Sequence, residues 1–483
     1  MLSWEFPPRT VGGISAHVYN LSHQLASLGV DTYVVTCDFP GAPEREELNG
    51  TYVVRVDSYK TPSPDFATWD YLMNVNMQKE VAGIVSNLND HVDIIHAHDW
   101  LVANAALGLK HIFRIPLVAT IHATEIGRRN GLHTDYERMI HQTENCLVHE
   151  AWKTVCCSQY MSSQVRWAYG LPEDRVVVVP NGVDASVFEE NFDNSAFRSK
   201  FALPDEKIVL FVGRLVYEKG VQTLINAIPK VLARVNAKFV IVGDGGMKDF
   251  LMGQVRNMRL AHKIFFTGFL DEQSLRFLYR CADVCVVPSL YEPFGITALE
   301  AMAAKTPVIV SDTGGLAEIV EHDKTGVKIC PDNSDLLAGG ILKVLQNRSF
   351  ANTIRENAYQ KVVKDYDWNR IADETIGVYR QAMQATPVPR LKSDASLPLF
   401  KFDKYPEELR ILVSLHILGA VDGEHAKSAR ELSNTLGIRI EDTRKLLQRL
   451  LDLEYVETSR DSLRRLRYYL TKQGIIKACS LFS

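Results

Sequence analysis

No run of apolar residues in this chain of 483 approaches the roughly 20 that a membrane-spanning helix needs. The segment Met1 to Pro8 carries an acid and two prolines where a signal peptide has an apolar core, so a cytoplasmic protein is expected. Cysteine is sparse and scattered: eight residues without a repeating C-x-x-C, which argues against a disulfide framework and fits a reducing compartment. Charge of one sign is also lacking. Lys plus Arg number 54 against 58 Asp plus Glu, a net of -4 that makes no whole-chain case for a nucleic-acid or membrane partner. Two phosphate signatures are missing as well. There is no G-x-x-x-x-G-K-[ST], and after Gly243-Asp-Gly-Gly246 position 248 is Lys where the dinucleotide fingerprint needs Gly, which argues against a dehydrogenase.

What is present is an alternation of apolar strands, glycine or carboxylate turns, and helices, on a length that suggests about three domains. Gly12 and Gly13 feed a helix over 14–28 closed by Gly29; a glycine pair at a helix start lets amides approach a phosphate, or simply makes a tight turn. A strand follows at 31–36, and residues 41–70 read as a polar loop excursion. Val92 to Trp100 is a strand running into a polar cluster. His96 and His98 invite a metal reading there, but no third ligand stands at familiar spacing, and no metal is expected. Asp99 suits an N-cap or a place in the crevice. The strand from Ile115 ends at His122, where the carboxyl edge of an open sheet binds ligands, although a lone His also serves as a structural residue. Further strands at 153–158 and 175–179 lead to Pro180-Asn-Gly182, the first expected domain boundary.

In the second half, the strand at 207–212 delivers Arg214 and Lys219 on a loop, two cations suited to a diphosphate. Residues 281–290 read as a strand bearing Cys281 and Cys285. It opens onto Tyr291-Glu-Pro-Phe-Gly295, then a helix whose first amides would face the crevice, with Glu292 before it and Glu300 inside it. Thr313-Gly-Gly315 repeats the strand, glycine turn and helix pattern. A helix over 367–383 and a proline-bearing linker over 384–404 follow. Residues 405–483 change character: a helix, a helix-turn-helix about Gly437, and two short strands, the order of a winged helix. This tail has 13 Lys plus Arg against 11 Asp plus Glu, so oligomerisation or protein interaction is expected of it rather than nucleic-acid binding.

Glu5-Phe-Pro-Pro8 with Val11-Gly-Gly13, His96-Ala-His-Asp-Trp100, Thr120-Ile-His122, Pro180-Asn-Gly-Val-Asp184, Gly213-Arg214, Glu218-Lys-Gly220, the Glu292 and Glu300 pair, and Thr313-Gly-Gly-Leu316 together resemble the GT-B retaining glycosyltransferases, family 4 and the glycogen or starch synthase group. The likeness spans about residues 1–383. It implies an α/β architecture of two doubly wound Rossmann-like domains, 1–184 on the acceptor side and 185–383 on the nucleotide-sugar side, facing a cleft. Arg214 and Lys219 would hold the donor diphosphate, assisted by Phe294, Gly295, Ile296 and Thr297 and by Gly12, Gly13, Thr313, Gly314 and Gly315. Glu300 would hold the ribose diol, Glu292 the sugar hydroxyls, and His122 the donor sugar; Asp99 would line the acceptor side. The implied reaction is hexosyl transfer, with UDP- or ADP-glucose as donor, to a glycan or small acceptor, without cofactor or metal. A sugar-nucleotide epimerase on the same fold and a nucleotide-sugar-sensing regulator are the alternatives.

Overall fold

The computed structural model describes residues 1–57, 63–88, 91–385, 406–423, 425–461 and 464–479. The chain divides into two compact units, Met1–Val388 and Pro389–Ser483. The boundary expected at Asn181–Gly182 lies inside the first unit, and all but the first two residues of the expected linker fall outside the described residues.

The first unit holds two sheets. Its first half contributes β1 (Thr32–Cys37), β2 (Arg45–Leu48), β3 (Thr51–Val56), β4 (Ile95–His98), β5 (Leu117–Ile121), β6 (Lys153–Cys156) and β7 (Val176–Val178). Strands β4 to β7 run parallel in chain order, and β1 pairs parallel with β3. Leu2 joins these two groups, bridging in parallel to Val35 of β1 and Ala97 of β4. Its amide donates to His96 O at 2.8 Å and its carbonyl accepts from His98 N at 3.0 Å. Short as it is, the opening stretch is therefore central in the sheet, and Leu2 is buried.

The loop excursion expected over 41–70 is corrected: β2 and β3 form an antiparallel hairpin, and the helix Phe66–Asn87 begins before it ends. The signal was Asn49-Gly50, both at positive φ (46° and 80°), a dipeptide that sets a tight hairpin turn. The other half contributes β8 (Lys207–Val212), β9 (Ala237–Val242), β10 (Ile264–Gly268), β11 (Val284–Val287), β12 (Val308–Ser311) and β13 (Val327–Ile329) in the order β10-β9-β8-β11-β12-β13, all parallel. The inner strands are largely apolar and buried, as in Ile208–Phe211, Phe239–Val242, Val284–Val287 and Val308–Val310, the pattern of a parallel sheet with helices on both faces. Cys285 lies on β11 as expected, whereas Cys281 ends the preceding helix Glu272–Cys281. That helix carries its apolar residues at helical spacing, a period the strand assignment overlooked.

The closing helix Trp368–Ala385 packs against the first half of the unit, not the second. Its Trp368, Ile371 and Tyr379 join Leu21, Leu25, Val118, Val155 and Val179 in one cluster. The Tyr379 hydroxyl lies 2.7 Å from His96 Nδ1, and Thr120 Oγ1 lies 2.7 Å from His96 Nε2. The ring of His96 is thus held on both sides, which is the structural rather than the ligating reading. A Cβ at Gly182 would come 2.7 Å from the Trp368 ring, so the turn at 180–182 needs glycine for this packing.

In the second unit, the helix Glu407–Ile417, the pair Ala429–Leu436 and Ile440–Asp452 turning at Gly437 (φ 68°), the antiparallel β14 (Val456–Arg460) and β15 (Leu466–Leu470), and the helix Lys472–Cys479 enclose a core of Ile411, Leu412, Val413, Leu432, Leu447, Leu450 and Val456. Ser428 and Glu431 close a capping box at the start of the second helix. The last helix was not anticipated; its only break signal, Gly474, sits where a Cβ would collide with the Tyr455 carbonyl.

Candidate active site

The carboxyl edges of β8 and β11 lie side by side, because these strands pair in the middle of the sheet. The loop after β8 brings Lys219 to Glu292, Nζ to Oε2 2.7 Å, and Ser289 Oγ donates to the same oxygen at 3.0 Å. Backbone ties fix both loops: Leu290 N donates to Glu218 O at 2.8 Å. Arg214 is about half exposed and among the described residues reaches only Glu218, at 3.6 Å, which leaves its guanidinium donors for another anion. Gly295 (φ 115°) then starts the helix Ile296–Ala303, whose first-turn amides have no acceptor within the helix. One turn in, Glu300 accepts from the Tyr279 hydroxyl at 2.7 Å. Burial raises its carboxyl to about 7, against the hydrogen bond from Tyr279 that lowers it.

Opposite stands the helix Gly13–Ser27. A Cβ on Gly13 would lie 2.8 Å from Ile296 Cδ1, so two helix amino termini from the two halves confront each other here. The preceding loop is braced from within: Glu5 Oε2 accepts from Val11 N at 2.8 Å and Gly12 N at 2.7 Å. Asp99, at φ 62°, caps no helix with its side chain; its Oδ1 accepts from His122 N at 2.7 Å. Burial raises Asp99 to about 6, while Arg128 and the amides of His122 and Ala123 pull it down. Burial likewise lowers His122 to about 3, so its imidazole is neutral at ordinary pH. His98 Nδ1 meets His122 Nε2 at 3.2 Å, and His17 stacks edge-on against His122 at 4.8 Å between centroids. One nitrogen from each of His17, His98 and His122 falls within 4.8 Å of the others, the one such group with metal-ligand spacing among the described residues. Among the described residues neither nitrogen of His17 has a hydrogen bond of full geometry, and the Asn181 side chain stands near enough to act on it.

The sequence profile described as glycosyl transferases group 1 matches residues 193–361, and that described as glycosyltransferase family 4 matches residues 11–187. An uncharacterised glycosyltransferase of Methanocaldococcus jannaschii is 42% identical over 388 residues, covering 80% of this chain and 98% of that protein. The chain is a group 1 glycosyltransferase. A glycogen synthase of Mycobacterium tuberculosis is 35% identical over 407 residues, 81% of this chain and 97% of that one. Among solved structures, sucrose-phosphate synthase from Thermosynechococcus elongatus superposes with a TM-score of 0.68 at 25% identity, over 78% of this chain and 94% of that one. Anabaena HepE in complex with UDP and glucose shares the GT-B fold, with a TM-score of 0.64 at 21% identity, over 78% of this chain and 98% of that chain.

In the glycosyltransferase, Lys219 meets Glu292, Gly13 lies beside Ile296 of the helix that follows the Glu292 loop, Glu300 meets Tyr279 one turn along that helix, and Arg214 approaches Glu218. The Thr313-Gly-Gly315 turn does something other than expose amides. A Cβ at Gly314 would strike the Glu292 carbonyl and one at Gly315 the Phe294 backbone, while Gly315 N donates to Glu292 O at 2.9 Å. Thr313 Oγ1 points back to Leu290 O at 3.4 Å. This turn therefore supports the Glu292 loop from behind, and the Gly12 amide is likewise occupied by Glu5.

Several contributors escaped the sequence reading. Gln164 Oε1 accepts from the Tyr291 hydroxyl at 2.9 Å and from Thr124 Oγ1 at 2.8 Å, linking the residue before Glu292 to the turn after His122. Ser158 Oγ donates to Pro293 O at 2.7 Å, and the Glu318 carboxylate accepts from Gln159 N and Tyr160 N at 3.0 and 2.7 Å. Behind Asp99, Arg128 pairs with Glu125 at 2.6 Å and approaches Glu144 at 3.9 Å. His17 and Glu5 had a signal, since each lies beside the glycine pair. Gln164, Ser158 and Glu318 had none, because the contacts Gln164 to Tyr291, Ser158 to Pro293 and Glu318 to the 159–160 amides each span more than 120 residues of chain. No helix among the described residues is long and apolar enough to cross a membrane.

Proposed function

We propose that the protein transfers a glucosyl group from UDP- or ADP-glucose to an acceptor hydroxyl with retention, an α-glucan being the acceptor favoured by the 35% identity to a glycogen synthase. The observation that carries this reading is the pairing of Lys219, on the loop after β8, with Glu292, on the loop that leads into the helix Ile296–Ala303, whose first residue lies beside the start of the Gly13 helix. A diphosphate placed there gains a cation and first-turn amides as its charge grows with departure of the sugar. Arg214 adds a fork of donors at the rim. Lys219 is already fixed by Glu292, so it needs little reorganisation.

In this reading, Glu292 holds sugar hydroxyls while retaining Lys219, and Glu300, one helical turn further on, accepts from the ribose diol. His122, neutral and oriented by Asp99 through its own amide, offers the sugar a hydrogen-bonding group that carries no repelling charge. The acceptor approaches the same face that the diphosphate leaves, and the departing phosphate oxygen takes its proton. The chain's own cations and amides stabilise the leaving group, so the scheme calls for no metal.

The test is a panel of nucleotide sugars offered with maltooligosaccharides, following nucleotide release and the anomeric configuration of the product by NMR. Retained α-linkage from a glucose donor, lost in Lys219→Ala, supports the reading. A donor isomer formed without acceptor would make the protein an epimerase, and inverted product would reject the same-face step.

A further inference from the structure

The second unit presents a cationic face that glycosyl transfer does not use. Lys427, Arg430, Arg444, Lys445, Arg460 and Arg464 form no ion pair among the described residues, and all but Lys427 are exposed. Three contacts bring the elements that carry them together. Lys427 pairs with Tyr468 of β15 in an antiparallel bridge. Arg467 of β15 reaches Glu431, in the first turn of the helix that carries Arg430, at 3.2 Å. Arg444, on the helix Ile440–Asp452, lies near enough to the Tyr468 hydroxyl to oppose the rise that burial imposes on it.

The acids on this side are mostly engaged. Glu431 holds Ser428 and Arg467, Asp461 holds Arg465 at 2.9 Å and Arg467 at 3.4 Å, and Asp442 holds Arg439 at 2.8 Å. Glu441, on the helix Ile440–Asp452, and Glu457, on β14, remain exposed without an ion-pair partner among the described residues, although the Glu457 carboxylate accepts from the Tyr469 hydroxyl. The other unneutralised acids, Glu407, Asp452 and Glu454, stand at the start of the first helix and beyond the carboxyl end of Ile440–Asp452. Among the described residues of this unit, large exposed apolar side chains are few and separate in the chain: Val421, Leu453 and Leu466. A protein partner would want an apolar patch at its centre. This face instead fits a regular array of phosphates.

We infer that this face binds the backbone of duplex DNA, with the helix Ile440–Asp452 entering the major groove and the Arg460 and Arg464 limbs of the hairpin lying along the adjacent phosphates. A helix fits that groove, and Gly437 (φ 68°) turns the chain into the helix Ile440–Asp452, whose Arg444, Lys445 and Gln448 are exposed. This reverses the partner expected from net charge alone, since an overall surplus of two conceals how the charges are placed.

The experiment is fluorescence anisotropy of the full chain with a labelled duplex of about 25 base pairs across about 50 to 200 mM salt. Six phosphate contacts predict a log–log slope of about -5 and roughly a thousandfold loss over that range. The double variant Arg444→Glu, Lys445→Glu should keep its melting temperature and transferase turnover, bind at least about tenfold more weakly, and lower the slope by about 2. Arg460→Ala with Arg464→Ala should weaken binding on the hairpin side. A flat salt response, or unchanged affinity in both variants, overturns the inference. So does heparin competing as well as duplex, which would mark a generic polyanion site, or self-association abolished by these substitutions, which would mark an interface between copies.

Discussion

At the scale of single residues, the site is a set of charges held in place by neighbours of opposite kind. Lys219 and Glu292 illustrate it at 2.7 Å: removing the lysine leaves a mostly buried carboxylate without its cation and, on the proposed role, would delete a donor to the diphosphate. Lys219→Ala should lower kcat by about 100- to 1000-fold, on the scale of losing one donor to developing charge. Steady-state kinetics with the preferred donor checks this. Glu300 predicts a pH response. Its carboxyl is raised from 4.5 to about 7 in the folded chain, so between those values the native state keeps a proton that the unfolded chain has released. Stability contributed by this group is therefore present below about 4.5 and declines as pH rises to about 7. The melting temperature of the wild type should fall relative to Glu300→Gln over that window. If only the ionised form accepts from the ribose diol, donor KM should improve across the same window in the wild type and stay flat in the variant. Coincident curves for the two proteins would refute the assignment.

Elements matter through the way their ends are aimed. Gly13 and Ile296 are neighbours only because one helix of each half begins at the same spot. A methyl at Gly13 meets the end of a flexible side chain, so Gly13→Ala should weaken donor binding several-fold rather than unfold the protein. Ile296→Ala in the same chain should restore much of the loss, and a double-mutant cycle on donor KM measures that coupling. The loop 291–294 is aimed by hydrogen bonds from the other half, through Gln164 to Tyr291 and Ser158 to Pro293. Tyr291→Phe removes a hydroxyl that donates to Gln164 and should cost about 1 kcal/mol of stability while raising donor KM. Thermal unfolding and kinetics together separate the two effects.

For the whole molecule, the assignment of elements to halves differs from chain order. The closing helix Trp368–Ala385 follows the second half in the chain yet fills the core of the first, where Trp368, Ile371, Ala372 and Tyr379 are buried. A chain ending after Ala385 should fold and retain transfer, because every site residue precedes it and the first compact unit ends at Val388. A chain ending at Tyr366 should lose both, since Val118, Val155 and Leu21 would then face water; circular dichroism and turnover assays distinguish the two truncations.

The alternation of strand, polar turn and helix was legible in the chain because a parallel sheet covered on both faces demands runs such as Val284–Val287, and because glycine marks backbone that side chains would block. His122, Arg214, Lys219 and Glu292 were candidates because they follow strands, and Glu300 through the family resemblance. The Asn49–Gly50 hairpin was legible too and was overlooked. The destination of each side chain was not legible. Ser158, Gln164 and Glu318 look like ordinary polar residues, and Gly314 like a phosphate turn, until folding places each against a loop far away in sequence. Periodicity and backbone preference are local, so the sequence by itself determined the elements and the chemistry at their ends. Which carboxylate meets Lys219, which glycine lies beneath Glu292, and which half the last helix completes depend on contacts between distant segments, and only the tertiary structure decided them.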